Sequence, residues 1–411
     1  MQNKKYWLGI LPHVYYAQQK GKALLYNTKT GAHILTDSKL IITLLEQMHE
    51  KQNLGVIRVE AAISEQHSAF IRESAAKNIC FIAEAVENQP KPIQLMPVLN
   101  LQRDMEKLQR EDDRFIGESV LHYLSDITIY LNDSCSLHCC HCGQYDRQTA
   151  HCYKTDRTTH FDFELLQQLF QQLACAPLRM LRITGGNIFE YRYFNELCSW
   201  LKKKKIYPMF GIHCQNVDFA QLHKIKEFPL EIFVNFPAQK EIVHKTGAAE
   251  LPRCSYSFLI TGEPEYAAAC AMAEECHLEN YKITPIYTGN NVSFFEENIY
   301  VTEQDIVSER VPQRMIFAHQ KLNSHFFGAL HIYPNGDVKA NPNQAVTGNI
   351  VQDKLLQIAE RELTVNTAWR QIRNGEPCGQ CLYQFLCPSP SNYEWVIGRQ
   401  NLCSVQKMQS R

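Results

Sequence analysis

Cysteines and histidines are concentrated in one short stretch of this chain. The segment "NDSCSLHCCHCGQYD", residues 132–146, places four cysteines and two histidines between positions 135 and 142. Thiolate sulfur is a soft ligand that selects iron–sulfur clusters, zinc or copper(I). The segment therefore predicts a metal centre, and the spacing of the cysteines indicates which kind.

Cys135, Cys139 and Cys142, the cysteine triad, form a Cys-x3-Cys-x2-Cys arrangement. One compact loop can bring three thiolates to three corners of a four-iron cubane and leave the fourth iron without a protein ligand. Because a four-iron cluster normally takes four cysteines, the open iron would accept a small-molecule ligand. The alternative is a zinc site that adds His138 or His141, although structural zinc more often uses two ligand pairs.

A second group of cysteines lies near the C-terminus, in "CGQCLYQFLCPSPSNYEWVIGRQNLC". Its four thiolates are enough to close a site around zinc or a four-iron cluster. The group, called the C-terminal cysteines below, consists of Cys378, Cys381, Cys387 and Cys403.

The other cysteines are predicted not to bind metal. Cys140 is an extra thiol within the first loop, and eight more cysteines are scattered singly and should be small buried hydrophobic residues. Cys152, just after the triad, is also a candidate reactive thiol. The scattered set is Cys80, Cys152, Cys175, Cys198, Cys214, Cys254, Cys270 and Cys276.

Composition narrows the class of protein. The chain has 411 residues and 45% hydrophobic content, enough for two or three domains. Its 42 basic and 43 acidic residues give a net charge of −1, which predicts neither a nucleic acid nor an anionic membrane as partner. No signal-peptide core or apolar run of roughly 20 residues is present. We expect a cytoplasmic protein, whose cysteines stay reduced.

The N-terminal part, residues 1–95, reads as a small α+β unit of three strands followed by two helices. Apolar residues at helical spacing predict the helices at 38–50 and 66–79, with Ser38 as an N-cap. A polar, proline-containing stretch ends the unit. Residues 96–126 are then predicted to form a charged helical connector.

Residues 127–315 alternate short apolar strands with amphipathic helices. This alternation predicts an α/β fold with parallel βα units, a partial (β/α)6 TIM-like barrel with its active site at the C-terminal ends of the strands. The triad directly follows the first strand and should lie at that mouth. The six strands are predicted at 126–131, 179–184, 207–213, 230–236, 256–261 and 281–287.

From residue 316 to 411 the alternation stops. The segment "ALHIYPNGDVKANP" predicts a hairpin that turns at Asn335-Gly336. A helix over 354–372 and the C-terminal cysteines follow. These features predict a separate small domain at the end of the chain.

The triad, placed after the first strand of a six-unit barrel, resembles the signature of the radical S-adenosylmethionine (SAM) superfamily. The resemblance implies that the open iron chelates SAM. An electron from the cluster would then cleave SAM to a 5′-deoxyadenosyl radical that abstracts hydrogen from substrate. The cofactor carries the hard chemistry and the protein orients it. His141 stands where the family usually has an aromatic residue.

Two further positions in the barrel resemble SAM-binding elements of that superfamily. Thr184, Gly185 and Gly186 match its Gly-Gly-Glu element, whose backbone approaches the SAM amino group, and two glycines at a strand end permit such an approach. Asn187 replaces the family's acidic residue. Asn235 occupies the place of a serine that contacts the ribose or carboxylate of SAM, or else it begins a turn before Phe-Pro.

The C-terminal part resembles the SPASM (twitch-like) domain of radical SAM peptide maturases. This resemblance implies that the C-terminal cysteines hold an auxiliary [4Fe-4S] cluster. SPASM domains usually carry two such clusters, and cysteines of the other would fall at 325–341 and near 391. His325, Asn341 and Ser391 occupy that region here. One auxiliary cluster is therefore predicted to be retained and one lost.

Residues 1–95 resemble the winged-helix domain that binds precursor peptides in such maturases, which implies that a leader peptide adds as an edge strand. The opening and the connector are similar to pseudo-radical-SAM proteins of double-glycine-leader peptide systems, which also contain a second radical SAM maturase. Three hypotheses follow: a maturase of a ribosomally synthesised peptide, a non-catalytic companion that binds the precursor for a second maturase, and a zinc-stabilised module.

Overall fold

A computed structural model describes residues 5–60, 65–86, 89–94, 117–155, 157–247, 251, 253–365 and 368–405. These residues form a mixed α/β fold whose largest sheet is mainly parallel. Residues 96–116, most of the predicted connector, lie outside the described ranges. Its last part is a 3-10 helix, Gly117–Tyr123.

The described strands belong to three sheets, and among the described helices none is long and apolar enough to cross a membrane. The strands are β1 (Lys5–Ile10), β2 (Val14–Gln19), β3 (Lys22–Asn27), β4 (His33–Thr36), β5 (Val56–Glu60), β6 (Cys80–Glu84), β7 (Asp126–Tyr130), β8 (Met180–Thr184), β9 (Met209–His213), β10 (Leu230–Asn235), β11 (Cys254–Ile260), β12 (Tyr281–Pro285), β13 (Ala329–Ile332), β14 (Asp337–Lys339) and β15 (Gly348–Asn349). The α-helices are α1 (Lys39–His49), α2 (Glu65–Ala76), α3 (Cys142–Gln148), α4 (Phe163–Leu173), α5 (Phe194–Lys204), α6 (Phe219–Leu222), α7 (Lys240–Gly247), α8 (Glu263–Glu275), α9 (Val292–Asn298), α10 (Glu303–Ser308), α11 (Gln313–His319), α12 (Leu355–Thr364) and α13 (Asn392–Ile397).

The N-terminal unit contains two antiparallel sheets, β5-β1-β6 and β2-β3-β4. Both predicted helices are present as α1 and α2, and Ser38 is the N-cap of α1 although its side chain makes no capping hydrogen bond. The predicted order of three strands before two helices is wrong, because four strands precede α1 and β5 and β6 flank α2. β5 and β6 depend on pairing with the distant β1, which local sequence does not reveal. The winged-helix assignment remains a prediction.

The largest sheet has nine strands in the order β12-β11-β10-β9-β8-β7-β13-β14-β15. Each of the six strands predicted for the barrel is present, and adjacent pairs from β7 to β12 are parallel. The predicted hairpin forms between β13 and β14, with Gly336 at φ +86°. β13 also pairs in parallel with β7, so the sheet continues past the predicted boundary at residue 315.

The two faces of the parallel strands differ in chemistry. Side chains alternate along a strand, so Ile127 and Ile129 of β7 pack in the main hydrophobic core. The opposite, interior face carries buried polar groups such as His213 and Glu231. Glu231 is 2% exposed and bonds Arg182 at 2.7 Å. The interior face is therefore able to hold charged and hydrogen-bonding groups away from water.

The sheet β2-β3-β4 packs against the C-terminal part of the chain. Leu24 and Tyr26 of β3 share a hydrophobic cluster with Leu382 and Leu386. The Tyr26 hydroxyl also donates to the Glu309 carbonyl at 3.0 Å. Residues near the two ends of the chain thus form one hydrophobic cluster beside the C-terminal cysteines.

Candidate metal centres

The cysteine triad lies where the sequence predicts, on the loop between β7 and α3 at the C-terminal end of the parallel strands. Its three thiols are partly buried, whereas Cys140 is exposed. Burial, followed by the charges of the other two triad cysteines, raises the pKa of Cys142 to about 11. The triad thiols therefore lie in one partly buried part of the loop, whereas Cys140 is exposed to solvent.

The end of β8 holds the segment that leads into the triad. The Gly186 N–H donates to the carbonyl and the side-chain oxygen of Asn132, each at 3.0 Å. The Asn187 N–H donates to the Ser134 carbonyl at 2.7 Å. A Cβ on Gly186 would lie 2.0 Å from that Ser134 oxygen. Glycine is required here because another part of the protein backbone approaches closely.

Thr184 and Gly185 have similar contacts within the protein. The Thr184 hydroxyl donates to the His151 carbonyl at 3.3 Å, and the Gly185 carbonyl accepts from the Tyr153 N–H at 3.1 Å. A Cβ on Gly185 would be 2.8 Å from the Asn132 carbonyl oxygen. The structure thus brings these predicted SAM-binding residues to the triad loop, and their contact with SAM remains a prediction.

A carboxylate that the sequence did not indicate lies near the end of β8. Asn187 begins a 3-10 turn, and its amide donates to one oxygen of Glu190 at 3.0 Å. The other oxygen of Glu190 accepts from the Ser134 hydroxyl at 3.3 Å. The turn therefore brings the carboxylate of Glu190 to Asn187 and Ser134, three residues after Asn187. Spacing of i to i+3 across a tight turn is the signal that could have revealed it.

Asn235, at the end of β10, belongs to a buried hydrogen-bonded network. Its side-chain oxygen lies 2.7 Å from His213 Nε2, and its amide donates to the Tyr145 hydroxyl at 3.3 Å. His213 Nε2 is also 3.9 Å from the sulfur of Cys139. Burial lowers the pKa of His213, which keeps the imidazole neutral. Asn235 is thus linked to the triad through His213, and a contact with SAM remains a prediction.

The segment after α3 fills part of the interior face. Gln148 makes two hydrogen bonds with the backbone of Tyr287, at 2.7 and 2.9 Å. His151 is 3% exposed, lies 3.2 Å from the Ser257 hydroxyl and contacts the Phe233 ring at 4.0 Å between centroids. This segment consequently occupies space at the strand ends, beside the triad.

Cys152 lies in the same segment. It is buried, and burial followed by the neighbouring cysteine charges raises the pKa of its thiol well above its usual range. Because the thiolate is the reactive form, the prediction of a reactive thiol at Cys152 is wrong. Of the other scattered cysteines, Cys80, Cys198 and Cys214 are buried as expected, whereas Cys175 is exposed.

Brief alkylation of the metal-free native protein should therefore label Cys140 and Cys175 and spare Cys152 and Cys214. The order of labelling follows exposure, because the buried thiols are inaccessible and burial raises their pKa values. Peptide mass spectrometry after iodoacetamide measures each site, and unfolding in guanidinium should expose all of them. Early labelling of Cys152 in the folded chain would contradict this placement.

Asp146 of α3 makes the stability of the protein depend on pH. Burial raises the pKa of its carboxyl from 3.8 to about 6. The folded state thus binds a proton more tightly than the unfolded state, so stability falls as pH rises from about 4 to 6. Asp146→Asn should increase the free energy of unfolding by about 2 kcal/mol at pH 8 and leave it unchanged near pH 4.

Urea titrations at the two pH values measure this difference. Asp162→Asn is the matched control, because Asp162 is the N-cap of α4 and asparagine caps equally well. An Asp146→Asn variant that is no more stable than the parent at pH 8 would refute the prediction.

The C-terminal cysteines come together as predicted. All four line one cavity of about 230 Å³, together with His325, Arg373 and Glu394. Arg373 and Glu394 form a buried ion pair at 2.6 Å. Ser391 is the N-cap of α13, where its N–H and hydroxyl bond the Glu394 carboxylate. Of the positions that matched a second auxiliary cluster, His325 faces this same cavity and Ser391 has a capping role.

A four-iron cluster on either cysteine group remains a prediction, and the sites differ in what they could accept as a single ion or as a cluster. Among the described residues, no three His, Cys, Asp or Glu side chains stand close enough to hold one metal ion. A zinc ion holds each sulfur at about 2.3 Å, which places the sulfurs within roughly 4 Å of one another. A four-iron cluster binds each thiolate to a different iron, so its cysteines stand farther apart. The cavity among the C-terminal cysteines provides room for such a group.

Comparisons with known proteins add a distant likeness in fold. No family model and no curated protein matches the sequence. Crystal structures of Streptococcus suis SuiB match 96% of this chain and 98% of theirs at 11% identity, with TM-scores of 0.48 bound to precursor peptide SuiA and 0.46 bound to S-adenosylmethionine. This likeness is too low to assign a function, so the proposal below depends on the residues of this chain.

Proposed function

We propose that this chain is a radical SAM-type protein of peptide maturation that carries two [4Fe-4S] clusters. The cysteine triad would hold a SAM-binding cluster, and the C-terminal cysteines would hold an auxiliary cluster. The observation that carries the proposal is the placement of three partly exposed thiols together at the C-terminal end of β7. Three protein thiolates leave one iron of a cubane open to a small molecule.

When bound, the cluster and SAM would supply the electron and the carbon radical for hydrogen abstraction. The residues of this chain would position the cluster and SAM. Asn132 and Ser134 fix the start of the triad loop on Gly186 and Asn187. The buried His213 and Asn235 border the triad on the interior side.

EPR spectroscopy of anaerobically reconstituted, dithionite-reduced protein tests the SAM-binding cluster. We expect a reduced four-iron signal whose shape changes when SAM is added, because SAM would bind the open iron. The signal of the auxiliary cluster should not respond. A spectrum indifferent to SAM in protein that holds two clusters would overturn the catalytic proposal.

A second candidate function, a non-catalytic companion of another maturase, is favoured by the filled interior. Gln148 bonds Tyr287 just after β12, and His151 bonds Ser257 in the middle of β11, so both occupy the interior face where a substrate of a barrel enzyme would be expected. Reconstitution with the precursor peptide and a second maturase separates the two functions. If modification persists after all three triad cysteines are replaced by alanine, the chain acts as the companion.

A ribosomally synthesised precursor peptide is the proposed partner under both functions. The sequence resemblance places its binding on the N-terminal unit, by strand addition at a sheet edge. β4 is an edge strand and exposes 42% of Leu35. Leu35→Lys should weaken binding of a fluorescent precursor in a polarisation assay. Leu356→Lys, at an exposed position on α12, is the control, and equal affinities of the two variants would refute this edge.

A further inference from the structure

An amide N–H points at the first cysteine of the triad. The 3-10 turn Cys214–Asn216 directly follows β9 and places the side chain of Asn216 beside the triad loop. Asn216 Nδ2 lies 3.4 Å from the sulfur of Cys135. The side chain of Asn216 is 9% exposed, so this amide is held in place and largely removed from water. An amide nitrogen only donates hydrogen bonds, so the sulfur is the acceptor.

The Nε2–H of His213 lies near a second sulfur of the triad. His213 Nδ1 accepts the Gln215 N–H at 3.2 Å, which requires the proton of the neutral imidazole to be on Nε2. Nε2 lies 2.7 Å from the Asn235 oxygen and 3.9 Å from the sulfur of Cys139. Iron binding through Nε2 would move the proton to Nδ1, where it would face the N–H of Gln215 and the hydrogen bond between them would be lost. The Nε2–H of His213 thus donates to Asn235, with the sulfur of Cys139 as a more distant second acceptor, and His213 is poorly suited to be an iron ligand.

The C-terminal cysteines have the same two kinds of donor. Asn401 Nδ2 lies 3.4 Å from the sulfur of Cys403, and Arg373 Nη1 lies 3.9 Å from the sulfur of Cys378. Each cysteine group thus has one amide N–H donor at 3.4 Å and one imidazole or guanidinium N–H at 3.9 Å. The two groups lie in different parts of the fold and have the Cys-x2-Cys pair in common, so the repeated pattern indicates a function common to both.

We propose that Asn216 and His213 are positioning residues that raise the reduction potential of the cluster held by the triad. The inference rests on the proposed function, since it requires that cluster. Reduction adds negative charge to the cluster and its thiolates, and N–H groups aimed at the sulfurs stabilise that charge. Asn235 contributes by holding the Nε2–H of His213 beside Cys139.

An EPR-monitored redox titration of the reconstituted full chain tests this proposal. Asn216→Leu and His213→Phe each remove one donor while conserving most of the side-chain volume. We expect each to lower the reduction equilibrium constant of the triad cluster about tenfold, which is about 59 mV for a one-electron couple. The potential of the auxiliary cluster should stay unchanged in both. Asn401→Leu is the reciprocal control and should shift only the auxiliary cluster.

The outcomes separate this inference from the proposed function. A parent protein that assembles no cluster on the triad refutes the proposed function and the inference with it. An assembled triad cluster whose potential is unchanged in Asn216→Leu and His213→Phe overturns the inference alone, and so does an equal shift of both clusters. Asn216→Asp serves if leucine prevents assembly. The carboxylate lacks an N–H and adds negative charge, so the potential must fall further, and an unchanged potential overturns the inference.

Discussion

Replacing Cys135, Cys139 and Cys142 together by alanine should lower the iron content of the reconstituted protein from about eight to about four atoms per chain. The SAM-responsive EPR signal should disappear with the lost iron. The C-terminal cysteines line a separate cavity among other residues, so their cluster should remain. Iron and sulfide analysis with EPR spectroscopy measures both effects in one preparation.

Cys140→Ala is the matched control for this experiment. Cys140 lies within the same loop but is exposed. The variant protein should therefore retain about eight irons and the SAM response. Alanine at the four C-terminal cysteines should give the converse result, in which the SAM-responsive signal alone remains. Retention of full iron by the triple variant would show that the triad does not hold a cluster.

The largest effect on stability should come from the buried carboxylate of Glu231. It is 2% exposed and contacts Arg182 and Lys282, each at 2.7 Å. Glu231→Gln removes the negative charge and leaves the guanidinium of Arg182, 13% exposed, without compensation on the interior face. We expect the free energy of unfolding to fall by about 3–5 kcal/mol. Urea titrations followed by circular dichroism measure this loss.

Two further variants decide whether the loss comes from the unpaired charge. Glu227→Gln breaks an exposed ion pair with Lys202, and it should cost at most about 1 kcal/mol. The double variant Arg182→Met/Glu231→Leu removes both interior charges, so it should recover most of the stability lost in Glu231→Gln. A double variant as unstable as Glu231→Gln would indicate that packing, and not charge, is responsible.

The local features of this protein could be predicted from its sequence. The triad lies within one loop, where three residues separate Cys135 from Cys139 and two separate Cys139 from Cys142. This short spacing decides which thiols can converge. The six parallel strands are short apolar runs with turn signals on either side, and each of them is present. The hairpin at Asn335-Gly336 also follows from local preference, because glycine adopts the positive φ that the turn needs.

Features that depend on distant pairing were missed or misread. Gly185 and Gly186 approach the backbone of Asn132 and Ser134, which the sequence did not indicate, and their contact with SAM remains a prediction. β5 and β6 complete a sheet around β1 that the sequence did not indicate. Cys152 was a candidate reactive thiol until the fold showed that it is buried.

The sequence by itself determined which thiols form the two predicted metal sites, because ligand spacing and strand periodicity are properties of neighbouring residues. Only the tertiary structure decided what surrounds them. Asn216 is 81 positions from Cys135, and His213 is 74 positions from Cys139. They meet because β7, β8 and β9 are adjacent parallel strands whose C-terminal ends share one edge of the sheet. No local pattern encodes a contact that this sheet alone creates.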